Sequence, residues 1–522
     1  MSSLPDPANA GPLSGSRRDF LRGRRLLATA AATAGAAPAA RAASSDPSSE
    51  LVFMSATKLA QLIRARKVSA VEAVQAFIKR QEQIGYSINA MVMQCHDRAL
   101  REAHNADQLA ARGRWLGPLH GVPMTIKDSF DTEGVVSTGG TIGRLQYVPK
   151  QDATVVARLR KAGAILTAKT HTLEFTLGGL AGIYGSTSST PLNGITRNPY
   201  DLTRTSGASS GGAGSSVASG CASFDVGSDW GGSIRLPAHF DGIVGIKPTS
   251  VRVPRTGHIV GYGGALDSWQ QIGPLARRVE DIELITPIIS GPDFHDAACA
   301  PVPWRDPGAV DLKKLKIVYF TNNTGGDTDQ DTIATVRKAA QWLEQACAGV
   351  TEDLPLALLE ELYAARDVLT NGDGLAYYKR LADKWGTKSF SPSRYEQMKR
   401  IKPVSTAEYV QAWEAQDANR VKMLQWFSPY DALICPTVAT PAPVFDIGYE
   451  PRPATTGPRW GYTSAFNSLG WPAMVVRCGG SSDGRNLPIG LQVVTQPWRE
   501  DVGIAVARHL ESRSGGWQRP PI

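Results

Sequence analysis

Gly207-Ala208-Ser209-Ser210-Gly211-Gly212-Ala213-Gly214 is a run of eight residues with no side chain longer than a hydroxymethyl group. Such a run is either a loose linker or backbone drawn close to its neighbours. Glycine, lacking Cβ, permits both positive φ and close approach. The run continues through small residues to Gly231-Gly232-Ser233-Ile234-Arg235. Serine is a poor nucleophile at neutral pH. It needs a base to take its proton and backbone donors to hold an oxyanion. The glycines before Ser233 offer donors, and Ser209 or Ser210 offers a relay. No histidine stands within either tract.

A hydrolase with neither histidine nor metal needs another base. The eight histidines are scattered with no HExxH or HxH pairing, and the six cysteines form no CxxC pair. A metal site is therefore not expected. Cys221 and Cys435 stand in apolar contexts and read as buried thiols. Lysine can act as a base if it is neutral, and burial disfavours its ammonium form. Lys127 ends an apolar strand that follows a Gly/Pro turn, Gly117-Pro-Leu-His-Gly-Val-Pro-Met-Thr-Ile. Alone, a lysine there reads as a solvated strand end; beside two serines it becomes a candidate base.

The formal net charge of +8 overstates the basic character of the body. Residues 1–42 hold six Arg and two acids, a net +4, which leaves 8 − 4 = +4 for the rest. No Lys/Arg block there reads as a nucleic-acid footprint. No apolar run is long enough to span a bilayer. Ser16-Arg17-Arg18-Asp19-Phe20-Leu21-Arg22 resembles the twin-arginine export motif. A weakly apolar stretch from Leu26 to Ala40 follows, and Ala40-Arg41-Ala42 has the small–x–small form of a cleavage site. The expectation is a signal peptide over 1–42, a linker over 43–50 and a mature protein, periplasmic or secreted, starting near Ala43. Folding before export, in a reducing compartment, argues against structural disulfides.

Within 51–522 helix and strand signals alternate, which favours an α/β fold with a sheet covered on both faces. Ser69-Ala-Val-Glu72 is a capping box, and the chain reads as helical from about Ala56 to Ile84. Asp152 is expected to cap a helix through Lys161, with Gly163 just past its end. Strands are expected at 164–167, 224–227, 243–246, 430–436 and 488–494, and a last helix at 499–512. Residues 296–428 have another texture: a strand-like 315–320, then charged, aromatic-bearing helical sequence, read as an elaboration that lines a substrate channel.

The combination resembles the amidase signature family. The Gly207–Gly214 tract and the Gly231-Gly232-Ser233-Ile234-Arg235-Leu236-Pro237-Ala238 run match its defining motif, and Gly117 to Asp128 matches its lysine motif. Further matches are Arg197-Asn198-Pro199-Tyr200-Asp201, Gly242-Ile-Val-Gly-Ile-Lys247-Pro248 and Gly273-Pro-Leu-Ala-Arg277. Phe466-Asn467, Gly470-Trp-Pro472 and Pro488-Ile-Gly-Leu-Gln492 follow. The likeness runs from about residue 50 to 515 and is weakest over 296–428.

That resemblance implies one large domain with a mixed, twisted sheet and helices on both faces. It implies an amidase without cofactor, acting on a small-molecule amide. Ser233 would attack the carbonyl, and Ser209, at a cis peptide position, would pass the proton to neutral Lys127. The N–H groups of Trp230, Gly231, Gly232 and Ser233 would form the oxyanion hole. Asp229 and Arg235 would hold the loop by charge-assisted hydrogen bonds. Ser210 is the local rival to Ser209, and the spacing to Ser233 favours Ser209. Ala208 and Ala213 replace small residues usual in the family, and Trp230 fills a variable loop position. His171 stands where Asn is common and reads as structural. Three other readings share the scaffold: a glutaminase-type subunit of a tRNA-dependent amidotransferase, an esterase, and a non-catalytic binding protein. The export leader argues against the first, and the intact serine–lysine set against the last.

Overall fold

A computed structural model describes residues 50–177, 188–261, 269–323, 328–390, 392–444 and 461–522. The expected leader, 1–42, and residues 43–49 of the expected linker lie outside the described residues.

The chain opens with two helices, α1 (Ala56–Arg64) and α2 (Ala70–Ile88), where the sequence suggested one helical stretch. The break falls at Ser69, whose capping box forms: its hydroxyl accepts from Glu72 N at 3.0 Å, and the Glu72 carboxylate accepts from Ser69 N at 2.8 Å. Strand β1 (Met91–Gln94), helix α3 (His96–Ala111), strand β2 (Pro123–Lys127), helix α4 (Thr154–Lys161) and strand β3 (Ile165–Thr170) follow. The three strands make one sheet in the order β1-β3-β2, with β2 and β3 parallel. Asp152 does not cap α4. The N-cap is Ala153, and the Asp152 carboxylate instead accepts from Glu133 N at 2.8 Å and from Arg160 Nη1 at 2.6 Å. Two better-placed donors outside the helix's first turn took the acceptor that the cap would have used.

Helix α5 (Gly211–Ala218), strand β4 (Phe224–Asp229), helix α6 (Arg235–Phe240) and strands β5 (Val244–Lys247) and β6 (Gln271–Ala276) carry the chain into a larger sheet, followed by helix α7 (Val279–Ile289). Next come strand β7 (Lys316–Tyr319), helix α8 (Gln330–Glu344) and strand β8 (Gly349–Glu352). Helices α9 (Leu356–Asn371), α10 (Ala376–Trp385), α11 (Pro392–Arg400) and α12 (Thr406–Phe427) succeed them. Strand β9 (Ala432–Pro436), helix α13 (Gly461–Ser468), strands β10 (Ala473–Gly480) and β11 (Pro488–Thr495) and helix α14 (Glu500–Ser514) complete the described chain. The large sheet has eight strands in the order β8-β7-β9-β11-β10-β5-β6-β4. It is mixed: β7 is parallel to both β8 and β9, and the other pairs are antiparallel. The 296–428 region is thus more than an elaboration, since it supplies two strands at one margin of this sheet.

Successive residues of a strand face opposite sides, so a central strand must be apolar throughout. Met474 and Val476 of β10 join the core beneath α7, α8 and α14, while Ala473 and Val475 face the other side, toward α5, α6, α9, α12 and α13. Ile434 and Leu433 of β9 divide the same way. Helices therefore cover both faces. Edge strand β4 lies against β2 of the small sheet, where Thr125 Oγ1 donates to Asp225 Oδ2 at 2.5 Å. That seam brings the end of β2 beneath the Gly/Ser tract.

The six cysteines are unpaired, five buried and Cys347 half-buried. Among the described residues no helix is long and apolar enough to cross a membrane, and no group of three His, Cys, Asp or Glu side chains is placed to hold a metal ion.

Candidate active site

Three lysines are wholly buried: Lys127, Lys169 and Lys247. Lys169 pairs with Asp128 at 3.7 Å and donates to Thr132 and Ser137 hydroxyls. Lys247 donates to the Trp471 carbonyl at 2.6 Å. Lys127, at the end of β2, has serines instead. Its Nζ lies 2.7 Å from Ser209 Oγ, 2.9 Å from Ser210 Oγ and 2.9 Å from Ser228 Oγ. Burial pushes the Lys127 ammonium down to about 7, against the opposing pull of Asp229 and Asp225. Asp225 shifts the other way: burial pushes its carboxyl up to about 7. With its own value about 7, the lysine amine is roughly half neutral at pH 7, and more so above it.

The hydroxyl partners separate Ser209 from its rival. Ser210 Oγ donates to the Ser228 carbonyl at 3.3 Å, so toward Lys127 it can only accept. Ser209 Oγ is left as the hydroxyl whose proton can pass to the amine. Ser209 follows a cis peptide bond, Ala208–Ser209. The two serine segments lie side by side, with Ser210 N donating to Ser233 O at 3.2 Å. Ser233 itself is only partly buried, which makes it the accessible member of the set.

The Gly/Ser tract is packed rather than loose. Every residue of α5 is buried. A Cβ on Gly212 would come 2.3 Å from His171 N and 2.6 Å from Ala90 O, both backbone atoms. His171 is structural: buried, bonded through Nδ1 to Thr196 Oγ1 at 2.8 Å, and pushed down to about 4 by burial.

Asp229 and Arg235 form a buried ion pair that organises the loop between them. Arg235 reaches Asp229 through Nε and Nη2, both at 2.9 Å. The carboxylate also accepts from Gly232 N at 2.8 Å and from Ile234 N at 3.1 Å. Despite burial, the Arg235 charge and these donors hold the Asp229 carboxyl well below the usual range. Arg235 also donates to Thr463 O, Gln492 Oε1 and Asn467 Oδ1 at 2.8, 2.7 and 2.6 Å. Segments more than two hundred positions apart in sequence thus converge on one guanidinium. One expected oxyanion donor needs correction: the Gly232 N–H is committed to Asp229 Oδ1 at 2.8 Å.

Three neighbours escaped the sequence reading. Ser228 sits on β4 one residue before Asp229, and its place on the Lys127 face follows from strand alternation. His258 touches Ser228 Oγ through Nε2 at 3.0 Å. Arg366, from α9, donates to the Trp230 carbonyl at 3.0 Å and to Ser468 Oγ at 2.9 Å. Its guanidinium lies against both Trp230 and Trp269, 4.7 and 4.3 Å from their ring centroids, which are themselves 5.5 Å apart. The region with the weakest motif content therefore supplies a wall of the site. No local pattern announced His258 or Arg366, because each meets its partner only through the fold.

The family model for the amidases matches residues 72–502. A glutamyl-tRNA(Gln) amidotransferase subunit of Moorella thermoacetica is 35% identical, over 90% of this chain and 99% of that protein. Indoleacetamide hydrolase of Bradyrhizobium diazoefficiens is 32% identical, over 88% of this chain and 86% of that protein. Among solved structures, 6-aminohexanoate cyclic dimer hydrolase with bound substrate superposes with a TM-score of 0.77 at 28% identity, covering 90% of this chain and 99% of that one.

Proposed function

This chain belongs to the amidase family, and from that premise we propose that it hydrolyses a small-molecule carboxamide through an acyl-enzyme on Ser233. The observation that carries the reading is the buried Lys127 amine, 2.7 Å from Ser209 Oγ. Neutral Lys127 takes the Ser209 proton as Ser209 takes that of Ser233, and the Ser233 oxygen attacks the carbonyl carbon. The N–H groups of Trp230, Gly231 and Ser233 receive the oxyanion; each such donor is worth about 3 kcal/mol of barrier. The Lys127 ammonium returns its proton through Ser209 to the leaving nitrogen, the C–N bond breaks, and water releases the acid.

The test is a panel of aliphatic, aryl and amino-acid amides, peptide C-terminal amides, anilides and matched esters, with Ser233→Ala as the blank. Turnover of an amide that vanishes in Ser233→Ala supports the reading; equal turnover by the two proteins overturns it. Faster turnover of the matched esters would make the protein an esterase of the same chemistry. A glutaminase-type amidotransferase component is the second reading, favoured by the likeness to the Moorella protein. Ammonia transfer to charged tRNA in the presence of cytoplasmic partner proteins would select it. The twin-arginine motif at Arg17-Arg18 supports export instead, by the twin-arginine machinery, to the periplasm or beyond. N-terminal sequencing of the exported protein should then begin near Ala43, and a start at residue 2 would remove the export reading.

A further inference from the structure

His258 is a buried histidine that the proposed reaction does not use. It lies in the turn Arg255-Thr256-Gly257-His258-Ile259, which is laced to the residues just after Lys127. Asp131 N donates to Gly257 O, and Ile259 N donates to Ser129 O, both at 2.8 Å. Gly257 has φ +82°, and a Cβ there would come 2.5 Å from Ala153 Cα, so the turn closes only on glycine. The result is an imidazole 4% exposed, edge-on to Phe130 at 5.0 Å between centroids. Its Nε2 is 3.0 Å from Ser228 Oγ, and that oxygen is 2.9 Å from Lys127 Nζ. Among the described residues its Nδ1 has no hydrogen-bond partner.

Counting protons gives the ring a task. A neutral amine has two N–H donors and one lone pair; three hydroxyls lie within 2.9 Å of Lys127 Nζ, and the Ser228 carbonyl oxygen stands farther off at 3.5 Å. For the lone pair to face Ser209, the other two hydroxyls must accept. Ser210 does so, because its proton goes to the Ser228 carbonyl. Ser228 can do so only if its own proton goes elsewhere, and the acceptor within reach is His258 Nε2. If Nε2 carried a proton instead, the Ser228 hydroxyl would turn toward Lys127 and occupy its lone pair.

Resting on the serine–lysine reading above, we propose that His258 is a positioning residue: its unprotonated Nε2 holds the Ser228 proton and so reserves the Lys127 lone pair for Ser209. The arrangement survives the reaction, since an ammonium at Lys127 donates to all three hydroxyls while the Ser228 proton stays on His258. Burial and the cations that face the ring, Lys127, Arg255 and Arg144, keep the imidazole neutral throughout.

The experiment has two arms. In the wild-type protein labelled with 15N-histidine, the His258 resonances should report the Nδ1–H tautomer, unprotonated at Nε2, from pH 6 to 9. The second arm measures phosphonylation of Ser233 by an alkyl fluorophosphonate, which needs no knowledge of the substrate. His258→Phe should slow the plateau rate roughly 10- to 100-fold, at or below the low end of the ~10²–10⁴-fold that a general base contributes, because the base itself stays in place. It should also move the midpoint of the pH profile downward, because a hydrogen bond donated to the neutral amine disfavours its charged form. His258→Gln, which restores an acceptor near the Nε2 position, should recover most of the rate. In a Ser228→Ala background, His258→Phe should add little. An Nε2–H tautomer overturns the proposal. So does an unshifted midpoint in His258→Phe, or an equal loss in the Phe and Gln variants, which would mark a packing role. Wild-type behaviour of the His258 variants beside a dead Ser233→Ala sinks this proposal alone; a fully reactive Ser233→Ala sinks the serine–lysine reading itself.

Discussion

Lys127 combines full burial with an environment made of hydroxyls, and burial outweighs the attraction of the two nearby aspartates. Its ammonium form is depressed to about 7, so the working, neutral form accumulates as pH rises. Amide turnover should therefore climb through a single ionisation near pH 7 and level off above it. Lys127→Ala should abolish that climb along with most of the rate; a profile of kcat/KM against pH checks both. Asp229 makes the opposite case, a carboxylate kept charged by Arg235 and by backbone donors. Asp229→Asn strands the buried guanidinium without a counter-charge. It should destabilise the fold by about 3–5 kcal/mol, measured by urea unfolding, and slow acylation as the loop loosens. The contact between Lys127 and Ser209 and the pairing of Asp229 with Arg235 were legible in the sequence because each residue sits inside a contiguous motif. The choice between Ser209 and Ser210 was not settled by spacing alone, and the Ser210–Ser228 hydrogen bond supplies the physical reason. The Gly232 donor was misjudged because a side chain three positions earlier reaches back to take its N–H.

Among the elements, α5 is the one whose sequence leaves least freedom. Gly212→Ala drives a methyl group into the backbone of residues 171 and 90, with no flexible side chain to yield. It should destabilise by about 3 kcal/mol, at the upper end of ordinary overpacking. A urea midpoint close to wild type would show that the helix can shift. Helix α9 reaches the site from the other direction, through Arg366 against Trp230 and Trp269. Arg366→Met keeps much of the apolar stem but loses the bond to the Trp230 carbonyl. It should lower kcat/KM roughly 10-fold, the scale of one charge-assisted hydrogen bond, with little change in the pH midpoint. Strand positions were largely legible because β9 and β11 are mainly apolar runs bounded by turn residues, while β4 and β5 begin by alternating apolar with small or polar residues. The Asp152 cap failed because a local rule was overruled by Arg160, two turns along the same helix, and by the backbone of Glu133, nineteen residues earlier.

At the scale of the molecule, the site residues lie between Lys127 and Gln492, on strands, helices and the loops that join them, and none falls within residues 1–42. Removal of residues 1–42 should therefore leave amide turnover and Ser233 phosphonylation unchanged, while abolishing export; a drop in turnover would tie the leader to the catalytic body. The eight-stranded order of the large sheet was not legible, because β7 and β8 enter from a region that reads as peripheral and pair parallel at a margin. The sequence marks β7 as the strand-like 315–320, but only long-range pairing reveals that it and β8 extend the large sheet.

The unpaired cysteines have a use beyond their chemistry in the cell. Cys95 lies at the start of α3, Cys299 in the loop after α7, Cys435 in β9 and Cys478 in β10, while Cys347 alone is half-buried. Burial raises the thiols of both Cys299 and Cys347 to about 11, so access ranks them: Cys299 is buried and Cys347 half-buried, and a local opening is what brings a buried thiol to the reagent. The chain thus carries its own set of opening gauges. Under native alkylation Cys347 should react first and the thiols in β9 and β10 last, and the intervals between them would rank the stability of each region without any added label.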